Sequence, residues 1–89
     1  MKYRLVIYDN RLWKRDCGKI PAKDMRRIIE RIRELEEQPL RPGVDMKNLR
    51  NYEVADYRLR VGKYRVLFNI DDERREVLLL RVLHRSKLY

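Results

Sequence analysis

The sequence predicts an α+β fold of order β-α-α-β-β-β, with two N-terminal helices packed on a small, mainly antiparallel four-stranded sheet. Three observations carry this. Met25, Ile28, Ile29, Ile32 and Leu35 recur at i, i+3, i+4, i+7 and i+10, the stripe of an amphipathic helix. Tyr57-Leu59-Val61 and Tyr64-Val66-Phe68-Ile70 alternate with polar positions on either side of Gly62-Lys63, the pattern of a hairpin. From Glu76 to Arg85, Leu78, Leu80 and Val82 alternate with Leu79, Arg81 and Leu83. That strand is apolar on both faces, as a central strand is.

In chain order, Lys2 to Tyr8 reads as the first strand, with Tyr3, Leu5 and Ile7 on one face. Asp9 or Asn10 caps a short helix, Arg11 to Cys17, which Gly18 stops. Leu12 and Trp13 anchor it, and core packing suits the single tryptophan better than a base-stacking role. Pro21 opens the second helix and Pro39 closes it, with Asp24 near the positive end of its dipole. Its outer face mixes Arg26, Arg27, Glu30, Arg31, Arg33, Glu34 and Glu37, which reads as scaffold laced by i,i+4 pairs rather than as a nucleic-acid-reading helix. Gln38 to Asn51 holds two prolines and Gly43 and reads as a loop, with a brief turn at Asp45 to Leu49 placing Met46 and Leu49 under the sheet edge. Asp71-Asp72-Glu73 turns the chain into the last strand.

At 89 residues the chain forms one domain, residues 1–89. Its 23 Lys and Arg against 14 Asp and Glu give a formal charge of +9, which points to a polyanion or an acidic protein as partner. Cys17 is alone, with neither a disulfide mate nor metal-ligand companions, and fits a reducing compartment. No secretory signal is visible, and the longest apolar run, Val77 to Leu80, is too short to cross a bilayer. A soluble, cytoplasmic protein is expected. There is one histidine, His84, and no Ser/His/Asp set, zinc spacing or glycine-rich phosphate loop.

The two-residue turn sets the register. It places Val61 opposite Tyr64, Leu59 opposite Val66 and Tyr57 opposite Phe68, one apolar face. Arg60 then lies opposite Arg65, with Arg58 on the same face. The stretch shows no evident acidic partners for these arginines. Like charges facing across a ladder are destabilising unless something negative sits between them. The plainer reading is a solvated basic face; the functional one is an anion site.

The run YRLRVGKYRVLF, followed by a strand ending in HRSKLY, resembles the RelE/ParE toxin superfamily over essentially the whole chain. The resemblance implies the RelE-like fold and a toxin of a type II toxin–antitoxin pair that cuts mRNA in the ribosomal A site. It implies a cognate acidic RelB-like antitoxin, a heteromeric complex with it, contacts to ribosome and mRNA, and no metal or cofactor. Carried over by position, Arg58 and Arg60 match the tandem basic residues before the turn, where the best-known RelE has lysines. Arg65 matches the arginine after the turn, Arg85 the basic residue after the last strand, and Tyr89 the terminal tyrosine. His84 matches a histidine of many relatives. Arg81 joins Arg58 and Arg60 as an expected RNA contact. ParE-like chains, which poison DNA gyrase, generally lack this full basic-plus-tyrosine set. A non-catalytic RNA-binding module is the third reading.

Metal-free RNA cleavage needs a 2′-hydroxyl deprotonated, phosphorane charge stabilised and a 5′-oxygen protonated. Arginine suits the second task, because its guanidinium grips phosphate oxygens bidentately and always carries charge, and for that reason it is a poor base. His84 or Tyr89 is left to move the proton. Strand alternation would turn His84 and Arg85 to opposite faces, so the strand must end or twist there for both to serve one site.

Overall fold

The computed structural model describes residues 2–46 and 55–88, the side chains of Asp45 and Met46 excepted. Strand β1 (Arg4–Ile7) leads into helices α1 (Asn10–Gly18) and α2 (Ala22–Glu34). Strands β2 (Val44–Met46), β3 (Tyr57–Val61), β4 (Tyr64–Asp71) and β5 (Glu76–His84) follow, and a single 3₁₀ turn, Arg85–Lys87, comes after β5. The sheet runs β1-β5-β4-β3-β2. β1 pairs with β5 in parallel and every other pair is antiparallel. The expected strands and both helices are present, and β2 adds a short fifth strand inside the segment read as loop. Val44 pairs with Leu59 and Met46 with Tyr57, so the hairpin supplied an edge that a three-residue segment could occupy. Leu49 of the expected turn lies outside the described residues, as does the side chain of Met46.

Asp9 caps α1, its Oδ1 accepting from the Leu12 N–H at 3.1 Å. Trp13 is buried in the main core, with Ile28, Ile32, Leu35, Leu59, Val61, Val66, Phe68, Val77, Leu79 and Val82. The helices therefore cover one face of the sheet. On α2, Ile28, Ile32 and Leu35 are buried, whereas Ile29 is 42% exposed. A period of 3.6 carries position 29 to the flank of the stripe. The helix also ends before the expected stop, with Leu35 donating its N–H to the Ile32 carbonyl as the chain tightens into a turn.

The hairpin register is the expected one: Val61–Tyr64, Arg60–Arg65, Leu59–Val66 and Tyr57–Phe68. Gly62 has φ 58°, and Arg75 is the only non-glycine with positive φ among the described residues, so Lys63 is not left-handed and the turn is type II′. A β-carbon at Gly62 would meet only the Arg27 side chain, at 3.8 Å, so the obstacle to substitution is the backbone. Gly62→Ala is expected to cost about 1–2 kcal/mol, read as a lower urea midpoint with an unchanged m-value.

Between β4 and β5 the ladder slips. Leu67 pairs with Arg81 but Phe68 with Leu79, leaving Leu80 as an extra residue. A one-residue bulge exchanges the faces of everything beyond it. Leu79 and Val82 consequently both reach the helix-side core, while Leu80 and Leu83 join Leu67, Ala55 and Leu88 in a second cluster on the other face. The expected alternation through β5 therefore breaks at Leu80.

Candidate active site

Beyond Leu79 no strand among the described residues lies beside the outer edge of β5, because β1 ends at Ile7. Asp16 of α1 takes that place. Its Oδ2 accepts from the Val82 N–H at 3.2 Å, and its two oxygens accept from Arg81 Nε at 2.7 Å and Nη2 at 2.9 Å. Asp16 is 4% exposed. Arg81 thus has an acidic partner that the sequence did not suggest, and its guanidinium ties α1 to the sheet. Beside it, burial first and the Asp16 charge second push the Cys17 thiol up, which keeps it protonated.

The arginines of the hairpin occupy the face turned away from the helices, in unequal environments. Arg58 is 4% exposed, set between the ladder positions of Leu67 and Asp45. Arg60 is exposed and Arg65 half-buried. Arg65 folds back over the turn, its Nη1 donating to the carbonyls of Gly62 at 2.9 Å and Tyr64 at 2.8 Å. That fixes a guanidinium at the tip of the sheet.

The bulge sends His84 to the opposite, helix-side face. It pairs with Tyr64, and the two rings meet edge to face with centroids 5.5 Å apart. The strand ends there, as joint use of His84 and Arg85 requires. His84 Nδ1 accepts from the Ser86 N–H at 3.2 Å and lies 2.9 Å from Ser86 Oγ, capping the 3₁₀ turn. In the neutral ring this places the proton on Nε2; in the imidazolium, Ser86 Oγ can accept from Nδ1–H. Arg85 is exposed, and its backbone N–H donates to the Lys63 carbonyl at 2.7 Å. Tyr89 lies outside the described residues.

The Gly62-Lys63 turn is therefore the point where the two faces meet. Arg65 closes over it, Arg85 is tethered to it, and His84 and Tyr64 stand behind it. On the helix side a cleft of about 480 Å³ opens between the turn and the start of α2, with Asp24, Arg27, Gly62, Lys63, Tyr64 and His84 in its wall. A second hollow, of about 380 Å³, shares Tyr64 and His84 and reaches Lys19 and Lys87. The Tyr64 hydroxyl donates to Asp24 Oδ2 at 3.4 Å. Burial, then the charge of Asp24 and this hydrogen bond, raise the Tyr64 phenol, so it stays protonated at neutral pH. Sequence reasoning assigned Tyr64 only to the apolar face and Asp24 and Arg27 only to the scaffold. Among the described residues no three His, Cys, Asp or Glu side chains gather as a metal site, and no helix is long and apolar enough to cross a membrane.

Comparison with known proteins agrees on one group. Residues 10–89 match the family model described as the ParE toxin of the type II toxin–antitoxin system parDE. Toxin RelG of Mycobacterium tuberculosis is 38% identical over 77 residues, 85% of each chain. Among solved structures, the toxin–antitoxin complex RelBE2 from M. tuberculosis contains a chain with a TM-score of 0.75 and 34% identity. The match covers 96% of this chain and 100% of that one. The RelB–RelE antitoxin–toxin complex of Methanococcus jannaschii gives a TM-score of 0.65 at 26% identity, covering 94% of both chains.

Proposed function

The chain belongs to the RelE/ParE superfamily of toxins from type II toxin–antitoxin systems, and on that premise we propose that it is a ribosome-dependent endoribonuclease cutting mRNA in the A site. The observation that carries this reading is the convergence of cations and the single histidine on the Gly62-Lys63 turn. A strand of RNA passing over the tip of the sheet meets Arg60 and Arg65 on one side and Arg27, Lys63 and His84 on the other, with exposed Arg85 tethered to the turn by its backbone N–H. Guanidiniums at such a point bind phosphate oxygens and the charge that gathers on the phosphorane.

Arg65 and Arg85 grip the scissile phosphate and stabilise its developing charge, while exposed Arg60 holds the adjoining backbone. Arg58, buried, supports this face from below, and Arg81 acts through its tie to Asp16. His84 protonates the 5′-oxygen through Nε2. Tyr89 stacks on a base or shares the proton work. The chemistry read this way calls for no metal or cofactor, and it takes place in the cytoplasm, where the ribosome and mRNA are.

Control falls to an acidic RelB-like antitoxin. The RelBE2 and M. jannaschii structures are toxin–antitoxin complexes, and a charge of +9 suits an acidic polypeptide that folds on contact. Titration of the chain with the product of the adjacent small gene is expected to show tight binding that weakens with salt; no binding at low salt contradicts this assignment.

A second reading, a gyrase-binding toxin, has one observation in its favour: the matching family model is that of ParE. Induced expression separates the two. Cuts within mRNA codons, mapped by primer extension, support the ribonuclease; DNA damage with an SOS-type response and intact mRNA supports the gyrase poison.

A further inference from the structure

The tip of the sheet is rich in groups that stabilise charge and poor in groups that take a proton. Arginine cannot act as the base, and an imidazole that protonates the leaving oxygen is not at the same moment free to deprotonate the nucleophile. Among the described residues two carboxylates line hollows that His84 also lines: Asp16, already engaged by Arg81 and the Val82 N–H, and Asp24. Asp24 occupies the first turn of α2, where a carboxylate is favoured by the helix dipole, and that local role is its plainest explanation. Its side chain does not cap the helix, however. The cap position is Pro21, which makes no side-chain cap hydrogen bond. Asp24 instead reaches across to β4, where the Tyr64 hydroxyl donates to Oδ2.

Tyr64 stands between the two groups. Its hydroxyl meets Asp24 and its ring makes an edge-to-face contact with the His84 imidazole, so carboxylate and imidazole are held apart across a single aromatic side chain. An in-line displacement at phosphorus places the entering and leaving oxygens on opposite sides. It therefore needs its base and its acid separated, with cations between them. Arg27 and Lys63 line the same cleft, and Arg85 is tethered to the carbonyl of Lys63.

We propose that Asp24 is the general base of the cleavage, paired with His84 as general acid. This rests on the ribonuclease reading above and deepens it. In the step, the Asp24 carboxylate takes the proton of the 2′-hydroxyl as the 2′-oxygen forms a bond to phosphorus. The bond from phosphorus to the 5′-oxygen breaks, and that oxygen takes the Nε2 proton of the His84 imidazolium. The products are a 2′,3′-cyclic phosphate and a free 5′-hydroxyl, with Asp24 protonated and His84 neutral; exchange with water resets both. Ser86 Oγ, 2.9 Å from Nδ1, accepts from the charged ring and holds its orientation. Tyr64 holds Asp24 through one oxygen and leaves the other for the substrate.

The experiment compares wild type, Asp24→Asn and Asp24→Glu for single-turnover mRNA cleavage in translating extracts across pH, with thermal melting and antitoxin binding measured alongside. The titratable and charged groups that line the cleft with Asp24 are Tyr64, His84, Arg27 and Lys63, all unchanged in these variants. Asp24→Asn is expected to lose about 10²–10³-fold in rate and the acidic limb of the pH profile, with melting and antitoxin binding preserved. Asp24→Glu, which keeps a carboxylate, is expected to recover most of the rate and to restore the limb. A purely structural Asp24 would leave the limb in place. Wild-type cleavage with Asp24→Asn cutting at the same rate, or retaining the limb, overturns the role of Asp24 alone. No cleavage by the wild type overturns the ribonuclease reading and this one together.

Discussion

Asp16→Ala is expected to lower the stability of the domain by about 3 kcal/mol. The substitution removes three hydrogen-bond acceptances at once. It takes from the Arg81 guanidinium its bidentate partner and leaves the Val82 N–H without that acceptor, at a sheet edge that none of the described strands covers. Breaking a buried ion pair from one side costs about 3–5 kcal/mol, and the low end applies because the Arg81 side chain is 25% exposed and can rehydrate in part. A buried unsatisfied amide adds about 1–3 kcal/mol, which overlaps with that figure rather than adding to it in full.

For a domain of this size, whose total stability is on the order of 5–15 kcal/mol, such a loss is a large fraction of the whole. With an m-value of about 1.5 kcal/mol/M the urea midpoint falls by about 2 M. The companion variant separates charge from packing. Replacing the pair together, Asp16→Ala with Arg81→Met, is expected to recover part of the loss, because the guanidinium that has lost the Asp16 carboxylate is removed with it. A midpoint shift below about 0.5 M for Asp16→Ala would mean that the tie contributes no more than a surface ion pair.

Arg85→Ala is expected to reduce mRNA cleavage by about 10²–10³-fold, the effect of removing one well-placed charge-stabilising donor. The position is favourable for such a test. The Arg85 side chain is exposed, and its structural contribution is a backbone N–H to the Lys63 carbonyl, which alanine retains. Thermal stability should therefore stay close to wild type while the rate falls. Arg65→Ala is a less clean experiment, since its guanidinium also holds the Gly62 and Tyr64 carbonyls and the turn would loosen with it. If Arg85→Ala cuts at the wild-type rate, Arg85 does not touch the scissile phosphate.

Much of the architecture was legible because local rules decide it. A glycine that opens a two-residue turn sets hairpin register through backbone twist, and every expected β3–β4 pair is found. The stripe on α2 and the cap at Asp9 are equally local. What stayed hidden depends on contacts distant in sequence. The bulge at Leu80 leaves no mark in a run of leucines, yet it decides which face His84 occupies. Asp16 looks like any polar residue of a short helix until the end of β1 exposes the β5 edge to it. Asp24 and Arg27 fit a mixed, scaffold-like helix face, and only the packing of α2 against the hairpin turn brings them beside Tyr64 and His84. The short strand β2 has too few residues to show an alternation.

These corrections change the proposed site more than the fold. The arginines of the hairpin face and its rim stand in unequal surroundings: Arg58 buried, Arg65 clasping the turn, Arg81 tied to α1, and Arg60 and Arg85 exposed. His84, which strand alternation already sets apart from Arg85, faces the helices beside Tyr64. The common point is the tip of the sheet, where RNA would cross from one face to the other.

The most direct test of this account is primer-extension mapping of a defined mRNA in a translating extract, with and without the purified chain. Cleavage inside the codon at the ribosomal A site, absent when ribosomes are withheld, is the predicted result. Intact mRNA in the presence of active ribosomes, or cutting that does not need them, would contradict it.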